Sequence, residues 1–178
     1  MPELLRLEHF GFTYPQQPCP ALADVSLTVR QGEFWVLCGA SGCGKTTLLR
    51  QLKPALRPHG AAEGRILFDG QPLDDLPPHR QAADIGFVLQ SPEEQTVTDK
   101  VWHELAFGLE SLGCDTPSIR RRVAEMASFF GIQDWFHRKV DELSGGQKQL
   151  LALASVMVLQ PRPVSYTHLR AHETLRHL

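Results

Sequence analysis

The feature that most constrains this chain is a glycine-rich segment of eight residues, Gly39-Ala-Ser-Gly-Cys-Gly-Lys-Thr46. It follows a short apolar run, Phe34-Trp-Val-Leu-Cys38, which is typical of a strand buried on both faces. It precedes a stretch of helical character, Thr46 to Leu52, which Pro54 would end. Strand, glycine-rich turn and helix are the context in which the pattern GxxxxGK[ST] binds phosphate.

The chemistry of this loop explains its composition. Glycine at positions 39, 42 and 44 lets the backbone curl until successive N–H groups face one concavity, and the helix N-terminus adds partial positive charge there. We expect Lys45 to reach the β- and γ-phosphates of ATP, as a binding and a catalytic residue, and the Thr46 hydroxyl to bind Mg²⁺. A chance glycine-rich turn is the alternative, which a match at every motif position disfavours. The residues expected to contact nucleotide here are Gly39, Ser41, Gly42, Cys43, Gly44, Lys45, Thr46 and Thr47.

Cys43 places a thiol inside the loop, at the start of the predicted helix. We expect alkylation of this thiol to block nucleotide binding, and bound ATP to protect it. An inert small residue that merely fits the loop is an equally good interpretation.

Before and after the loop, short apolar patterns predict further strands. Leu5–Leu7 and Val25–Val29 alternate apolar residues with polar or small ones, which predicts half-buried antiparallel strands. Arg65–Phe68 is predicted as a strand closed by a turn at Asp69-Gly70, and Asp84–Leu89 as a buried strand.

From Pro92 onward the sequence has helical character. Thr116-Pro117 predicts a helix start, with Thr116 as the N-cap and proline in the first position. Gly131 is a natural end for that helix. The residues predicted to share its apolar face are Ile119, Val123, Met126 and Phe130.

Composition limits the class of protein. The 178 residues suffice for one α/β domain, and 42% hydrophobic and 21% charged residues are ordinary for a globular protein. A formal net charge of -2 provides no basic field for nucleic acid. We expect no signal peptide, and the longest apolar run, Leu150 to Leu159, is too short for a membrane span. The four cysteines lack metal-binding spacing, which favours free thiols in the cytoplasm.

A second motif, Leu143-Ser-Gly-Gly-Gln147, precedes the apolar helix predicted over Leu150 to Leu159. Ser144 and Gln147 have the spacing of a capping box, so an ordinary helix cap is one interpretation. The two glycines between them leave the first backbone donors of the helix open to an outside anion. A second phosphate site on one small domain makes sense if it serves the nucleotide of another subunit.

With this motif after the phosphate loop, the sequence resembles the ATP-binding subunits of ABC transporters over about residues 4–163. The resemblance implies an α/β fold: a P-loop NTPase with a RecA-like core, a small antiparallel β subdomain and a helical subdomain at about residues 91–145. It places one nucleotide-binding domain over residues 1–163. It also implies that two such domains stack head to tail, each ATP lying between one P-loop and the signature motif of the other domain. Ser144, Gly145 and Gly146 would then contact the γ-phosphate held by the partner, and Gln147 completes the motif.

Two further positions match the family. Tyr14, in Phe12-Thr-Tyr-Pro15, resembles the aromatic residue that stacks on adenine, and a surface turn tyrosine is the alternative. Gln90 resembles the Q-loop glutamine, a catalytic residue that reaches Mg²⁺ and the attacking water and links the state of ATP to the membrane partner.

The residues after Gln90 indicate a subfamily. Gln90-Ser-Pro-Glu-Glu-Gln95, followed by Val101 to Leu109, is similar to the ATPases of energy-coupling-factor transporters, which import vitamins, cobalt or nickel. Leu150 departs from the arginine of many relatives. The resemblance implies Mg-ATP as cofactor, import-coupled ATPase activity at the cytoplasmic face of a bacterial membrane, and two partners: a second ATPase subunit, identical or different, and a transmembrane subunit. A soluble ABC ATPase without a membrane partner is the alternative.

The segment after Pro163 departs from the family. There the family has an aliphatic strand, called Walker B, that ends in Asp-Glu and supplies the general base, whereas this chain has no such pair. We therefore predict a fold truncated before that strand, poorly stable as written and without hydrolysis, or a binding-only subunit if the tail is genuine. His168, His172 and Glu173 suggest a helical metal site or a tail that merely contains histidines. A closer resemblance, from Val164 to Thr174, is to the translation of a transposon-derived sequencing adapter, which predicts an artefactual tail over residues 164–178.

Overall fold

The computed structural model describes residues 1–166. The chain divides into two compact units, Met1–Ile85 and Gly86–Leu178. The predicted domain limits, residues 1–163 with a helical subdomain at about 91–145, stay predictions. The histidine-containing segment, with His168, His172 and Glu173, lies outside the described residues.

The first unit is built on a four-stranded antiparallel sheet of order β2-β1-β3-β4. Three of its strands contain the predicted segments and extend beyond them, so those predictions are confirmed. Between β3 and β4, Asp69 and Gly70 both have positive φ and form the predicted turn. The strands are β1 Glu3–Thr13, β2 Leu22–Arg30, β3 Ala61–Phe68 and β4 Gln71–Pro72.

A bulge in β1 explains why this strand is longer than its alternation predicted. Leu5 and Leu7 are buried, and the next buried apolar residues are Phe10 and Phe12, which are out of phase with the first pair. The pairing register with both neighbouring strands shifts at this point, and His9 has a φ of 46°. The extra residue keeps all four side chains on one face of the sheet.

Two helices accompany this sheet, α1 Lys45–Gln51 and α2 Pro78–Asp84. The helix predicted after the glycine-rich loop is confirmed, and it ends shortly before Pro54. Lys53 follows α1, and its ammonium donates hydrogen bonds to the Gln81 carbonyl at 2.7 Å and to the Ile85 carbonyl at 2.5 Å. Burial lowers the pKa of the Lys53 side chain. A basic side chain thus joins the end of α1 to the last turn of α2.

The strand predicted at Phe34–Cys38 is wrong. These residues form neither strand nor helix, and Phe34 is 83% exposed. A strand buried on both faces is held by hydrogen-bonded neighbours, and within residues 1–166 no strand pairs with this segment. The local apolar pattern therefore predicted a strand that, among the described residues, has no neighbouring strand to pair with.

Among its described residues, the second unit combines a two-stranded parallel sheet with four α-helices. The strand predicted at Asp84–Leu89 is shorter than expected, because residue 84 still belongs to α2. Gly86 lies so close to the last helix that an added Cβ would come within 2.7 Å of Val156 Cγ1. The elements are β5 Gly86–Val88, α3 Pro92–Gln95, α4 Val101–Ser111, α5 Thr116–Phe129, α6 Gly145–Met157 and β6 Val164–Tyr166.

The first residues of the tail contribute to this sheet. Val164 pairs with Gly86 and Tyr166 with Val88, in parallel orientation. These three residues thus form a short strand beside β5, which is not the aliphatic strand ending in Asp-Glu before which the truncation is predicted.

The helices pack around an apolar core in which α4, α5 and α6 each supply buried residues. The helix predicted from Thr116 exists, but Asp115 rather than Thr116 is its N-cap, because the Asp115 carboxylate accepts a hydrogen bond from the Ser118 amide at 3.0 Å. Gly131 has a φ of 65° just after the helix, as predicted for its end. The buried core residues are Val101, Leu105, Ala106, Leu109, Val123, Ala127, Ile132, Val140, Leu143, Leu151, Ala154 and Val158.

In the part of the chain that the structure describes, no helix combines the length and apolar character needed to cross a membrane.

A buried carboxylate fixes the segment between α3 and α4. Glu104, on α4, is 5% exposed. Its Oε2 accepts hydrogen bonds from the Val97 amide at 3.1 Å, the Thr98 amide at 2.9 Å and the Thr98 hydroxyl at 3.0 Å. One acidic side chain thereby provides an acceptor for two loop amides and shares the Thr98 hydroxyl with the Lys100 carbonyl, which lies 3.1 Å from it.

We predict that Glu104→Ala lowers the free energy of unfolding by about 2 kcal/mol, because a buried charge-assisted network loses its acceptor. Urea denaturation of the purified chain measures this. The control is Glu110→Ala in the same helix, where the residue is exposed and a change within about 0.5 kcal/mol is expected. Equal effects of the two substitutions would show that the network contributes nothing.

Candidate functional site

The glycine-rich loop joins the sheet of the first unit through a close backbone approach. Gly44 is the N-cap of α1 and has a φ of 91°. A Cβ at this position would lie 2.7 Å from the Ala21 carbonyl oxygen, at the edge of β2. Both the left-handed backbone and the contact therefore require glycine. The first hydrogen bond of α1 runs from the Leu48 amide to the Gly44 carbonyl, at 2.8 Å, which leaves the amides of residues 45–47 without an acceptor inside the helix.

The Lys45 side chain folds back over this loop. Its ammonium donates hydrogen bonds to the Gly39 carbonyl at 2.9 Å and the Ala40 carbonyl at 2.7 Å, and lies 3.5 Å from Cys43 Sγ. Residues 39–43 are exposed. The lysine thus bonds neutral carbonyl groups at an exposed site, and an anionic oxygen would be a stronger acceptor for the same cation.

Tyr14 lies in the same unit and is directly connected to the helix that follows the loop. Its hydroxyl is 3.0 Å from Thr47 Oγ1, and its ring meets Phe12 edge to face, with 4.9 Å between the ring centres. Tyr14 is only half-buried. The structure therefore brings the predicted adenine-stacking residue to the helix that carries Thr46 and Thr47.

The second motif forms the cap that its spacing predicted. The Ser144 hydroxyl accepts from the Gln147 amide at 3.3 Å, and the Gln147 side chain accepts from the Ser144 amide at 2.8 Å. The predicted capping box is confirmed. Gly145 and Gly146 are the first two residues of α6, so their amides have no acceptor within the helix. Ser144 and Gly145 are exposed.

Gln90 follows β5 and is exposed. It belongs to the second unit together with the capped helix α6, whereas the glycine-rich loop and Tyr14 belong to the first. The first unit thus carries the glycine-rich loop and Tyr14, and the second carries Gln90 and the capped helix α6.

The residues of the first unit fit a magnesium-bound nucleotide by their donor chemistry. The loop offers exposed backbone amides, a lysine ammonium and, at Thr46, a half-buried hydroxyl of the kind that binds Mg²⁺ in such loops. The close approach at Gly44 excludes any residue larger than glycine, so position 44 adds no side chain to the loop at the start of α1. Lys45, Thr46 and the amides at the start of α1 are the groups that could hold the phosphates and the metal.

A family model matches most of the sequence. Residues 22–164 match the model described as ABC transporter. The chain belongs to the ABC transporter family. The match begins at the first residue of β2 and includes the loop, Gln90 and the capped helix.

Several ABC transporter proteins are similar in sequence. A putative ABC transporter ATP-binding protein of Bacillus cereus is 47% identical over 156 residues, which is 88% of this chain and 28% of the relative. The cobalt import ATP-binding protein CbiO of Syntrophus aciditrophicus is 35% identical, covering 92% of this chain and 58% of the relative. The energy-coupling factor transporter ATP-binding protein EcfA of Syntrophomonas wolfei is 35% identical, covering 89% and 58%. The chain therefore spans less than two thirds of the length of each.

Solved structures of the family share the fold. CbiO1 from Clostridium perfringens, part of the ABC transporter complex cbiONQ, superposes with a TM-score of 0.81 at 27% identity, over 93% of this chain and 65% of CbiO1. A nucleotide-free ATP-binding cassette superposes with a TM-score of 0.73 at 23% identity. The predicted fold class, a P-loop NTPase with an antiparallel sheet and a set of helices, is confirmed, as is the similarity to energy-coupling-factor ATPases.

Sequence reasoning missed the role of Glu104, which lies in the same unit as Gln90 and α6. An acidic residue inside the apolar pattern of an amphipathic helix was the available signal, because a buried carboxylate needs hydrogen-bond donors. The identity of those donors, in the loop after α3, depends on tertiary structure.

We predict that alkylation of Cys43 with N-ethylmaleimide blocks nucleotide binding, because the added group would fill the loop beside Lys45, and that ATP slows the labelling. Mass spectrometry of the labelled protein with and without Mg-ATP measures the rates. Cys114, in the second unit, is the internal control, and Cys43→Ala should bind nucleotide but resist the reagent. Equal labelling of Cys43 with and without ATP would contradict the prediction.

Proposed function

We propose that this chain forms the nucleotide-binding part of an importer ATPase, in which Mg-ATP binds at the loop Gly39–Thr46. The single observation that carries the proposal is the arrangement of this loop, with Gly44 against the Ala21 carbonyl and the Lys45 ammonium 2.7–2.9 Å from carbonyl groups of its own loop. Membership of the ABC transporter family supports it.

In this proposal Lys45 exchanges its carbonyl partners for the β- and γ-phosphates, and the Thr46 hydroxyl holds Mg²⁺. Tyr14 presents its ring to adenine while its hydroxyl remains fixed to Thr47. Gln90, exposed at the end of β5, contacts the metal and orients water. The hydrolysis of bound ATP supplies the free energy for transport.

The capped helix α6 serves the nucleotide of another cassette. Ser144 is exposed, and the amides of Gly145 and Gly146 have no acceptor in the helix, so this N-terminus is suited to a phosphate from outside. The partner cassette is an identical or a different ATPase subunit, and the two lie head to tail with ATP between them.

The direction of transport and the membrane partner rest on the relatives. CbiO of Syntrophus aciditrophicus is named for cobalt import, and EcfA of Syntrophomonas wolfei for an energy-coupling factor transporter. We propose that the complete protein acts as such a subunit, at the cytoplasmic face of the membrane and bound to a transmembrane subunit.

The decisive experiment measures ATP hydrolysis by the complete natural protein and by its Lys45→Ala variant. We expect the variant to lose about 100-fold or more, because a cation that neutralises charge on the transferred phosphoryl group is removed. Lys139→Ala, at an exposed lysine, is the charge-matched control and should hydrolyse like wild type.

The second part of the experiment measures hydrolysis at different protein concentrations. If ATP lies between two cassettes and each chain carries one, the specific activity rises with protein concentration. Hydrolysis that survives Lys45→Ala would contradict the assignment of the ATP site to the loop. In a protein with one cassette per chain, a specific activity independent of concentration would sink the dimeric site.

A further inference from the structure

A side-chain amide in the second unit connects the base of the Q-loop to the capped helix. Gln95 is the last residue of α3 and is half-buried. Its Oε1 accepts a hydrogen bond from the Leu89 amide at 2.9 Å, and its Nε2 donates to the Ala152 carbonyl at 3.0 Å. Leu89 directly precedes Gln90, and Ala152 lies on α6. The planar side-chain amide of Gln95 therefore joins the backbone before Gln90 to helix α6.

The bond to Leu89 fixes the backbone directly after β5. The strand is Gly86–Val88, and Val88 lies opposite Tyr166 in the parallel pair. The next amide along the chain, that of Leu89, donates to the Gln95 side chain. The position of Gln90 thus depends on a side chain five residues further along the chain.

The bond to α6 fixes the other end of the amide. Ala152 is buried, and its carbonyl oxygen accepts from the Gln95 amide and also from the Ser155 hydroxyl, each at 3.0 Å. The amide can satisfy both partners in one orientation only, with oxygen toward Leu89 and nitrogen toward Ala152. If the amide were flipped, Nε2 would face the Leu89 N–H, donor against donor, and Oε1 would face the Ala152 carbonyl oxygen, acceptor against acceptor.

The surrounding contacts restrict the rest of the loop. Glu104 holds the Val97 and Thr98 amides, so the loop is anchored on both sides of Gln90. An exposed ion pair, with 3.7 Å between Lys148 Nζ and Glu93 Oε1, also links α6 to α3. Such a surface pair contributes little by itself. The Gln95 amide is the partly buried and directional connection.

We propose that Gln95 is a positioning residue that transmits the placement of the signature helix α6 to Gln90. This inference rests on the proposed function, since it assigns Gln95 a role in hydrolysis through Gln90. Because α6 would face the nucleotide of another cassette, the bridge gives the Q-loop of one chain a mechanical link to the second ATP site. Gln95 touches no predicted nucleotide contact itself.

Two substitutions separate the ends of the bridge. Gln95→Glu keeps an oxygen for the Leu89 amide but replaces the donor to Ala152 with a second acceptor. Gln95→Met has similar size and removes both bonds. Gln133→Glu is the control for the chemical change, at an exposed glutamine of the same unit.

The first readout is steady-state ATP hydrolysis by the complete natural protein. We expect Gln95→Glu to lower kcat about 10-fold or more, as a small misplacement of a positioning group does. The KM for ATP should change less than about threefold, because the phosphate loop is untouched. Gln133→Glu should match wild type. Wild-type kcat in Gln95→Glu would overturn the proposal, as would a loss confined to KM.

The second readout is amide hydrogen exchange, which does not depend on hydrolysis. In Gln95→Met, exchange of the Leu89 amide should accelerate roughly fivefold to tenfold, as expected for loss of one hydrogen bond. In Gln95→Glu it should remain slow. Unchanged exchange in Gln95→Met would overturn the bridge. If wild type itself shows no hydrolysis dependent on Lys45, the proposed function fails, and the exchange result still decides whether Gln95 holds Leu89.

Discussion

The geometry of the first unit depends on how closely the backbone at Gly44 approaches the carbonyl of Ala21. A side chain at Gly44 would come within 2.7 Å of that oxygen, so the loop and the start of β2 can lie together only through glycine. This approach sets the direction in which α1 leaves the loop. It therefore also sets where Lys45, Thr46 and Thr47 stand, and through Thr47 it anchors the tyrosine that we assign to adenine.

The two helices whose N-termini we assign to phosphate begin in different ways, and the difference suits these proposed tasks. Helix α1 has no side-chain cap, and its start is made by a left-handed glycine. Helix α6 carries a complete capping box, so its N-terminus is rigid before any ligand arrives. The absence of a side-chain cap leaves the first amides of α1 available to phosphates, whereas a helix that meets a ligand from another subunit benefits from a fixed frame.

Sequence patterns with a local physical cause were predicted well. The capping box depends on residues three apart, and the turn at Asp69-Gly70 on two adjacent residues with positive φ. One local detail was wrong, since Asp115 and not Thr116 is the N-cap of α5. The larger failure came where the cause lies elsewhere in the chain. Phe34–Cys38 has the composition of a buried strand, but no strand among the described residues pairs with it. The Gln95 bridge was beyond sequence reasoning because Ala152 is 57 positions away.

Disulfide cross-linking tests most directly whether the loop of one chain and the capped helix of another hold the same nucleotide. Gly145 has open space where a Cβ would be added, and Cys43 is exposed, so Gly145→Cys can be combined with the native Cys43 after all other cysteines are replaced. Non-reducing electrophoresis then follows oxidation of the complete protein with and without Mg-ATP. We predict a covalent dimer in the absence of nucleotide, and Mg-ATP should slow its formation, because the phosphates would lie between the two sulfurs. A disulfide formed within one chain would contradict the shared site, and so would dimer formation at the same rate with and without bound ATP.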